Sequence, residues 1–416
     1  MEEENKDNKN DKSKGKFSFF SSKKFMLILS FLGLYLLSSG TSWALFTYLK
    51  EDPKLETVSL GDLEEARMKI SQLPKTQECP INGGMFTEPE EKIWQTRRPI
   101  TVIVENHEDS RPPSGLSRAD VVYEIVAEGG ITRFLAVYYC GAAAEEVKVA
   151  PVRSARVYFI DYASEYGDFP IFMHVGGAND YAGFGDTARD ARALELLETI
   201  GWRVPKGNDF DTTYDSGFPV FWRNYERLGK QVATEHTMMA SLDAAYQQAE
   251  DRGFSAEDED GDAWDENFVK WDFSGEGTDS DTNSSKISFE FWEDGLFSSE
   301  YAVTWVYDEE SNSYKRENGG ESHNDLETGE QLTAKNVVVL FARQRGPVDR
   351  NKHLLYETVG EGDALIFQNG KVVETTWEKD SRSSRTIFYD EDGAEVSFVG
   401  GSIWIEVLPA GNDVEY

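Results

Sequence analysis

The sequence predicts an α+β protein with an N-terminal transmembrane helix, a mixed α and β first lobe and a β-rich second lobe. Three observations predict this class. An uncharged apolar run fills residues 25–49, strand-like and helical runs alternate over residues 97–248, and strand-like runs dominate residues 286–412. With 416 residues, 39% hydrophobic and 13% aromatic, the chain is long and apolar enough for two or three folded units.

The apolar run at 25–49, FMLILSFLGLYLLSSGTSWALFTYL, is long enough for a helix to cross a hydrocarbon layer of about 30 Å. Lys23 and Lys24 precede it, so the positive-inside rule places the N-terminus in the cytoplasm and the rest outside. We therefore expect a single-pass protein of the cell membrane, with the lipid bilayer as a partner and residues 1–22 as a disordered cytoplasmic tail. A cleaved signal peptide is the alternative, because Ser42-Trp43-Ala44 loosely resembles a cleavage site.

Residues 50–96 are predicted to form a stalk and entry segment, which contains the helical stretch LEEARMKISQL before Pro74. The first lobe, 97–248, begins with the strand-like runs ITVIVEN, ADVVYEIV and TRFLAVYY. Helical periodicity follows at 187–200 and 241–252, and the second of these helices has a serine at its predicted N-cap.

Residues 249–285 are strongly acidic and polar and are predicted to form an exposed insertion or linker between the lobes. An EF-hand loop is disfavoured there, because Ala263 and Val269 replace the glycine and glutamate that such a loop requires. The second lobe, 286–412, carries runs such as ISFEFW, NVVVLFAR and SIWIEVLP, with a turn at Asn369-Gly370.

Composition excludes several classes of function. The formal net charge is −34, so the field of the whole protein opposes binding to nucleic acid, and we predict no nucleic-acid partner. Cys79 and Cys140 are the two cysteines, which excludes a zinc site built mainly on cysteine. No HExxH pattern occurs either, and we predict no metal and no cofactor. Both a disulfide and two free thiols are open at this point.

Linked segments across residues 97–410 resemble the YerB-type family of bacterial envelope proteins, which is defined by the domain of unknown function DUF3048. They include RPITVIVEN, RPPSGLSRADVVYEIVAEGGITRFLAVYY, APVRSARVYFIDYASEYGDFPIFMHVGG, EHTMMAS, DALIFQNGKVVETTWEKDS and GGSIWIEVLP. The resemblance implies a two-lobed fold and a location in the cell envelope as a lipoprotein or membrane-anchored protein. This chain lacks a lipidation cysteine near its apolar run, so the helix is expected to anchor it.

A dense group of polar residues lies among the strand-like runs of the first lobe. Guanidinium groups bind carboxylate or phosphate through two hydrogen bonds, so this group includes a predicted binding site for an anionic ligand. The predicted ligand-binding residues are Arg111, Arg133, Arg153, Ser154 and Arg156. The alternative is a structural network of ion pairs, in which these arginines pair with nearby acids such as Asp120, Glu124, Glu128 and Asp161.

Candidate catalytic residues are Glu128, Asp161 and His174. Glu128 precedes Gly129-Gly130, and His174 stands just before a Val-Gly-Gly sequence, so flexible backbone lies beside both side chains. A carboxylate and an imidazole suffice for general acid and base catalysis. Serine hydrolase chemistry is disfavoured, because Ser154 is not part of a G-x-S-x-G motif.

We therefore expect an extracytoplasmic protein that binds a cell-wall polymer or another envelope protein. The alternative is an extracytoplasmic hydrolase or transferase that acts on an anionic envelope substrate. A concave site that gathers Arg133, Arg153, Arg156 and His174 would favour a ligand or enzyme site. Burial of these residues in mutual ion pairs would favour scaffolding.

Overall fold

The computed structural model describes residues 67, 69–258, 260–275, 283–292 and 298–416, which belong to one compact unit. The predicted cytoplasmic tail at 1–22, the transmembrane helix at 25–49 and the first part of the stalk lie outside these residues. Within the described ranges, no helix combines the length and the apolar character that a membrane span requires.

Strands form most of the regular structure. The strands up to residue 241 are β1 (Lys75–Glu78), β2 (Met85–Thr87), β3 (Ile100–Glu105), β4 (Val121–Val126), β5 (Thr132–Tyr138), β6 (Lys148–Val149), β7 (Ile171–His174), β8 (Asp209–Asp211), β9 (Phe221–Arg223) and β10 (Met238–Ser241). The later strands are β11 (Phe273–Ser274), β12 (Lys286–Phe289), β13 (Val303–Asp308), β14 (Ser313–Asn318), β15 (Glu321–Ser322), β16 (Thr333–Ala334), β17 (Asn336–Ala342), β18 (Gln344–Arg345), β19 (Leu355–Tyr356), β20 (Gly360–Gln368), β21 (Lys371–Lys379), β22 (Ile387–Tyr389), β23 (Phe398–Val399), β24 (Ile403–Pro409) and β25 (Val414–Glu415).

Helices are short. The α-helices with described bounds are α1 (Glu88–Trp94), α2 (Val157–Ala163), α3 (Ala193–Thr199) and α4 (Leu242–Asp251). Single 3₁₀ turns occur at Glu108–Ser110, Leu116–Arg118, Arg189–Ala191, Thr234–His236 and Ser298–Glu300.

The two helix predictions have different outcomes. The helix predicted at 241–252 is confirmed as α4, and the Ser241 hydroxyl caps it by accepting a hydrogen bond from the N–H of Ala244. The helix predicted at 187–200 is wrong in its first half, where a 3₁₀ turn precedes α3. Arg192 adopts ψ of 85° at the junction and caps no backbone group with its side chain, so the helix begins only at Ala193.

One ten-stranded mixed sheet contains strands from both predicted lobes, in the order β22-β21-β20-β17-β24-β4-β5-β3-β7-β8. The junction is β24, the last strand but one, which lies parallel to both β17 and β4, with Ile403 opposite Val121. Every residue of β4 and β5 is buried, as expected for strands covered on both faces. The predicted lobes 97–248 and 286–412 therefore share a single sheet and a single core.

A six-stranded antiparallel sheet packs beside the large one, in the order β15-β14-β13-β12-β25, with β16 paired to β14. Smaller sheets join β6, β10 and β9, and pair β1 with β2, β11 with β23, and β18 with β19. The β18–β19 hairpin belongs to the second half of the chain. It carries the loop 346–354 toward the first half, where Asp349 accepts a hydrogen bond from the N–H of Ala188 (2.9 Å).

The described part of the predicted acidic insertion, 249–285, packs onto the domain. Trp264 and Trp271 are only 4% and 1% exposed, and the Trp271 indole donates a hydrogen bond to the carbonyl of Thr386 (2.7 Å). Strand β11 pairs in parallel with β23. The two tryptophans thus bind residues 249–275 to the core, so this segment is not the free linker that we expected, although most of its acidic side chains are exposed as predicted.

Cys79 and Cys140 form a disulfide with Cα atoms 6.1 Å apart, which settles the alternative that the sequence left open. Asp120 lies beside it, fully buried, and accepts hydrogen bonds from the N–H groups of Tyr139, Cys140 and Gly141. Burial raises the pKa of Asp120 to about 7, against the opposing effect of these hydrogen bonds. The disulfide therefore joins the entry segment to the end of β5.

Candidate functional site

Glu128 is held in a network of charged side chains at the end of the β4–β5 hairpin. Arg133 donates a hydrogen bond to one carboxylate oxygen (3.0 Å), and the Arg156 guanidinium pairs with the other. His353 approaches from the hairpin β18–β19, with its Nε2 atom 3.8 Å from Glu128, while its Nδ1 atom lies 2.7 Å from Asp349. The ion pairs of Glu128 with Arg133 and Arg156 therefore match the structural network that the sequence offers as the alternative to a ligand site.

The charge state of Glu128 argues against a role as a general acid or base. Burial raises the pKa of this carboxyl, but the charges of Arg133 and Arg156 outweigh it and hold the pKa at about 2. Proton transfer is most effective when the catalytic pKa lies near the working pH. A carboxylate of such low pKa binds its arginines well and removes protons poorly.

Replacing Glu128 with glutamine is expected to lower the free energy of unfolding by ~2–3 kcal/mol at pH 7, since a pKa held below its ordinary value stabilises the fold. This contribution is complete above the ordinary pKa of a glutamate and disappears as the pH falls toward 2. The difference between wild type and Glu128→Gln should therefore narrow below about pH 4. Urea unfolding across this pH range measures it.

Glu321→Gln serves as the control, because Glu321 is exposed and lies outside the network. It should match wild type at every pH. A Glu128→Gln difference that stays constant into acid, or that is absent at pH 7, would contradict the assigned network.

The other predicted ligand-binding residues also have partners within the protein. The Nε atom of Arg153 lies 3.0 Å from Glu105, and the Ser154 hydroxyl donates to the carbonyl of Val175 (2.9 Å). Arg111 donates to the carbonyl of Glu300 (2.8 Å) and to Asn106. Burial lowers the pKa of Arg111, as expected for a guanidinium enclosed by the fold. These side chains therefore link residues 105–156 to one another and to Val175 and Glu300.

His174 lies in the core, separated from solvent. Its Nδ1 atom is 2.7 Å from the carbonyl of Gly176, and its Nε2 atom is 2.6 Å from Asp209, which also pairs with Arg203 (2.6 Å). Burial lowers the pKa of His174, but the adjacent Asp209 outweighs it and the pKa is raised. Both ring nitrogens are occupied, so His174 stabilises β7 and β8 and does not face a substrate.

Asp161 lies at a different site, a groove of about 600 Å³ between the two halves of the domain. The Asp161 carboxylate accepts hydrogen bonds from Arg382 (2.8 Å) and Thr358 (2.6 Å). One wall comes from the turn 189–191 and α3, the other from the hairpin β18–β19. The groove is lined by Val157, Asp161, Arg189, Asp190, Arg192, Glu195, Leu196, Thr199, Arg343, Arg345, Leu355, Tyr356, Glu357 and Arg382.

Five arginines line this groove against four carboxylates, in a protein whose formal net charge is −34. Arg343 and Glu357 are 3.6 Å apart and 78% and 62% exposed, and Arg345 and Asp190 are similarly exposed. Ion pairs this exposed contribute little to stability, so an anionic ligand can replace the carboxylate of such a pair. Arg189 is exposed and has no side-chain partner among the described residues.

Sequence reasoning missed these arginines, although a local signal existed. Arg189 and Arg192 stand three residues apart in ARDAR, and Arg343 and Arg345 stand two apart in ARQR. Each pair alone is a common surface pattern. The two pairs line one groove only because the loop 346–354 packs against the first half of the chain. Local sequence does not show this contact.

Comparison with known proteins confirms the family. The profile described as "Protein of unknown function (DUF3048) N-terminal domain" matches residues 84–255, and that of the corresponding C-terminal domain matches residues 295–405. The two matches together cover more than half of the chain. The chain belongs to the DUF3048 family. Both family domains contribute strands to the ten-stranded sheet and walls to the groove.

Two comparisons concern individual DUF3048 proteins. The "Putative lipoprotein YerB" of Bacillus subtilis (strain 168) is 29% identical over 341 residues, which is 82% of this chain and 88% of that protein. The crystal structure of the YerB protein from Bacillus subtilis matches with a TM-score of 0.63 and 25% identity, over 82% of this chain and all of that one. The chain is thus similar to YerB in sequence and in fold.

Proposed function

We propose that this DUF3048 protein is an extracytoplasmic binding protein of the bacterial cell envelope, whose groove binds a phosphate- or carboxylate-bearing envelope polymer. Three observations support the location. The YerB relative carries the description of a lipoprotein, the apolar run 25–49 favours a single-pass anchor, and a buried disulfide is typical of proteins outside the cytoplasm.

The arginine-lined groove is the observation that carries the proposal. Guanidinium forks match the geometry of phosphate and carboxylate groups, and several exposed forks on one concave surface can contact successive groups of a polymer. The apolar side chains of Leu355 and Tyr356 lie among them and offer contact to the uncharged part of a ligand. Elsewhere the acidic surface repels such a polymer, so binding is directed to the groove.

The hydrolase or transferase alternative gains no support from the three predicted catalytic residues. His174 is buried, Glu128 is paired with two arginines, and Asp161 accepts hydrogen bonds from Arg382 and Thr358. Each residue belongs to a separate cluster of partners, so they do not form a shared acid and base pair. Binding is the function that the geometry favours.

Calorimetric titration of the full chain in mild detergent tests the proposal. The probes are a poly(glycerol phosphate), a carboxylate-bearing muropeptide and a neutral glycan. We expect one of the two anionic probes to bind and the neutral glycan to give no heat. Arg189→Ala and Arg343→Ala should each weaken binding by about tenfold or more, as expected for loss of a charged hydrogen bond.

Arg118→Ala is the matched control, since Arg118 is a partly exposed arginine paired with Glu145 outside the groove. It should bind like wild type. Absence of binding by both anionic probes would contradict the proposal. Equal affinities of the two groove variants and the control would do the same.

A further inference from the structure

Two histidines lie side by side at the surface, away from the groove, where β3 ends. The rings of His107 and His236 are 4.8 Å apart between centroids and tilted by 33°. Asp109 lies beside them, and one ligand atom from each of the three side chains lies within 4.8 Å of the others. His107 is partly exposed and Asp109 largely exposed, so solvent reaches the cluster.

The buried carboxylate of Glu105 orients His236. The Nδ1 atom of His236 lies 2.7 Å from one oxygen of Glu105, whose other oxygen is 3.0 Å from Arg153. An ionised Glu105 accepts the Nδ1–H bond, which leaves the lone pair of the Nε2 atom available. This carboxylate–imidazole arrangement is the outer-shell contact that fixes the ring in most histidine metal sites.

We propose that His107, His236 and Asp109 bind a divalent transition-metal ion of the Zn²⁺ or Cu²⁺ class, with Glu105 as a positioning residue. Imidazole nitrogen is a preferred ligand of these ions, and two imidazoles with one carboxylate leave a coordination position for water or an external ligand. The N–H of Asp109 donates to Nδ1 of His107 (3.1 Å), so binding at that nitrogen replaces this hydrogen bond.

The ligands are drawn from segments that the fold brings together. His107 caps the 3₁₀ turn Glu108–Ser110 after β3, and Asp109 lies within that turn. His236 ends the turn Thr234–His236 before β10. A tetrahedral site with Zn–N bonds of about 2.0–2.1 Å requires ligand atoms that are up to 4.8 Å apart to close by as much as roughly 1.5 Å. The partly exposed His107 and the largely exposed Asp109 permit this movement. The buried His236 keeps its position while the other two ligands move.

Titration of the full chain, without a histidine tag and after treatment with a chelator, tests the site. We expect one Zn²⁺ or Cu²⁺ ion per chain at pH 7.5, with weaker binding below about pH 6 because protons compete for the imidazoles. His107→Ala and His236→Ala should weaken binding by more than about tenfold, and Glu105→Gln by about tenfold. The electron paramagnetic resonance spectrum of bound Cu²⁺ should show coupling to two imidazole nitrogens in wild type and to fewer in His107→Ala and His236→Ala.

His107→Ala keeps the test decisive even if His236→Ala fails to fold, since His107 faces solvent. Asp258→Asn is the control, because Asp258 is not a proposed ligand. It belongs to the acidic loop that the sequence disfavours as a calcium site. This variant should bind like wild type. No uptake of either ion by wild type, or uptake that His107→Ala leaves unchanged, would overturn the proposal.

Discussion

Replacing Arg316 with methionine is expected to lower the free energy of unfolding by about 3–5 kcal/mol. Arg316 lies on β14 of the six-stranded sheet and is fully buried, where it pairs with Glu124 of the large sheet. Its Nη1 atom lies 2.9 Å from the Nδ1 atom of His323, and its guanidinium carbon lies 4.8 Å from the centroid of the Trp404 ring. Methionine fills much of the space but leaves the Glu124 carboxylate buried without its cation.

The second acid of this cluster is Glu406, 3.8 Å from Arg316. Burial and the adjacent Glu124 raise the pKa of Glu406 well above its ordinary value, which favours its neutral form and leaves Glu124 as the main partner of Arg316. Urea unfolding followed by tryptophan fluorescence measures the loss. The double variant Arg316→Met, Glu124→Gln should recover part of it, because no unpaired charge remains buried.

Arg343→Met is the matched control, since Arg343 is 78% exposed and its pair with Glu357 is screened by solvent. Its effect should stay within about 0.5 kcal/mol. An equally small effect of Arg316→Met would contradict the conclusion that the ion pair between the two sheets stabilises the fold.

Loss of the Cys79–Cys140 disulfide is expected to cost about 2–4 kcal/mol, because the bond closes a loop with a sequence separation of 61 in the unfolded chain. The double variant Cys79→Ser, Cys140→Ser should unfold at lower urea concentration than the oxidised wild type. Wild type treated with a reductant should approach the variant.

Thiol titration of the denatured chain, isolated under oxidising conditions, provides the check on this result. It should find no free thiol. Two free thiols, or a double variant as stable as the oxidised wild type, would contradict the pairing.

Local sequence patterns predicted many of the longer strands. The run ITVIVEN forms β3, and ADVVYEIV and TRFLAVYY form β4 and β5, because β-branched and aromatic residues favour buried strands wherever they pair. Pairing between distant strands has no such local signal. Strand β24 lies between β17 and β4, where Ile403 pairs with Asn336, 67 residues away, and with Val121, 282 residues away. Local patterns carry no signal for such pairings, so they predicted two lobes where the structure has one sheet.

The candidate site divides in the same way. Glu128 pairs with Arg133, five residues away, and with Arg156, 28 residues away, and this network matches the structural alternative that the sequence offers. The glycines after His174 resembled a flexible site, yet Asp209, 35 residues later, holds that ring in the core. Residue types and their spacing predicted the ion pairs. The burial of His174 and the existence of the groove could be seen only in the folded chain.

Hydrogen–deuterium exchange of the full chain, with and without the anionic probe that binds, shows whether the groove is the binding site. We expect slower exchange at residues 189–199 and 343–357, the two walls of the groove, and unchanged exchange at residues 105–109 and 234–236. Slower exchange confined to other segments, with both walls of the groove unaffected, would contradict the assignment of the groove as the binding site.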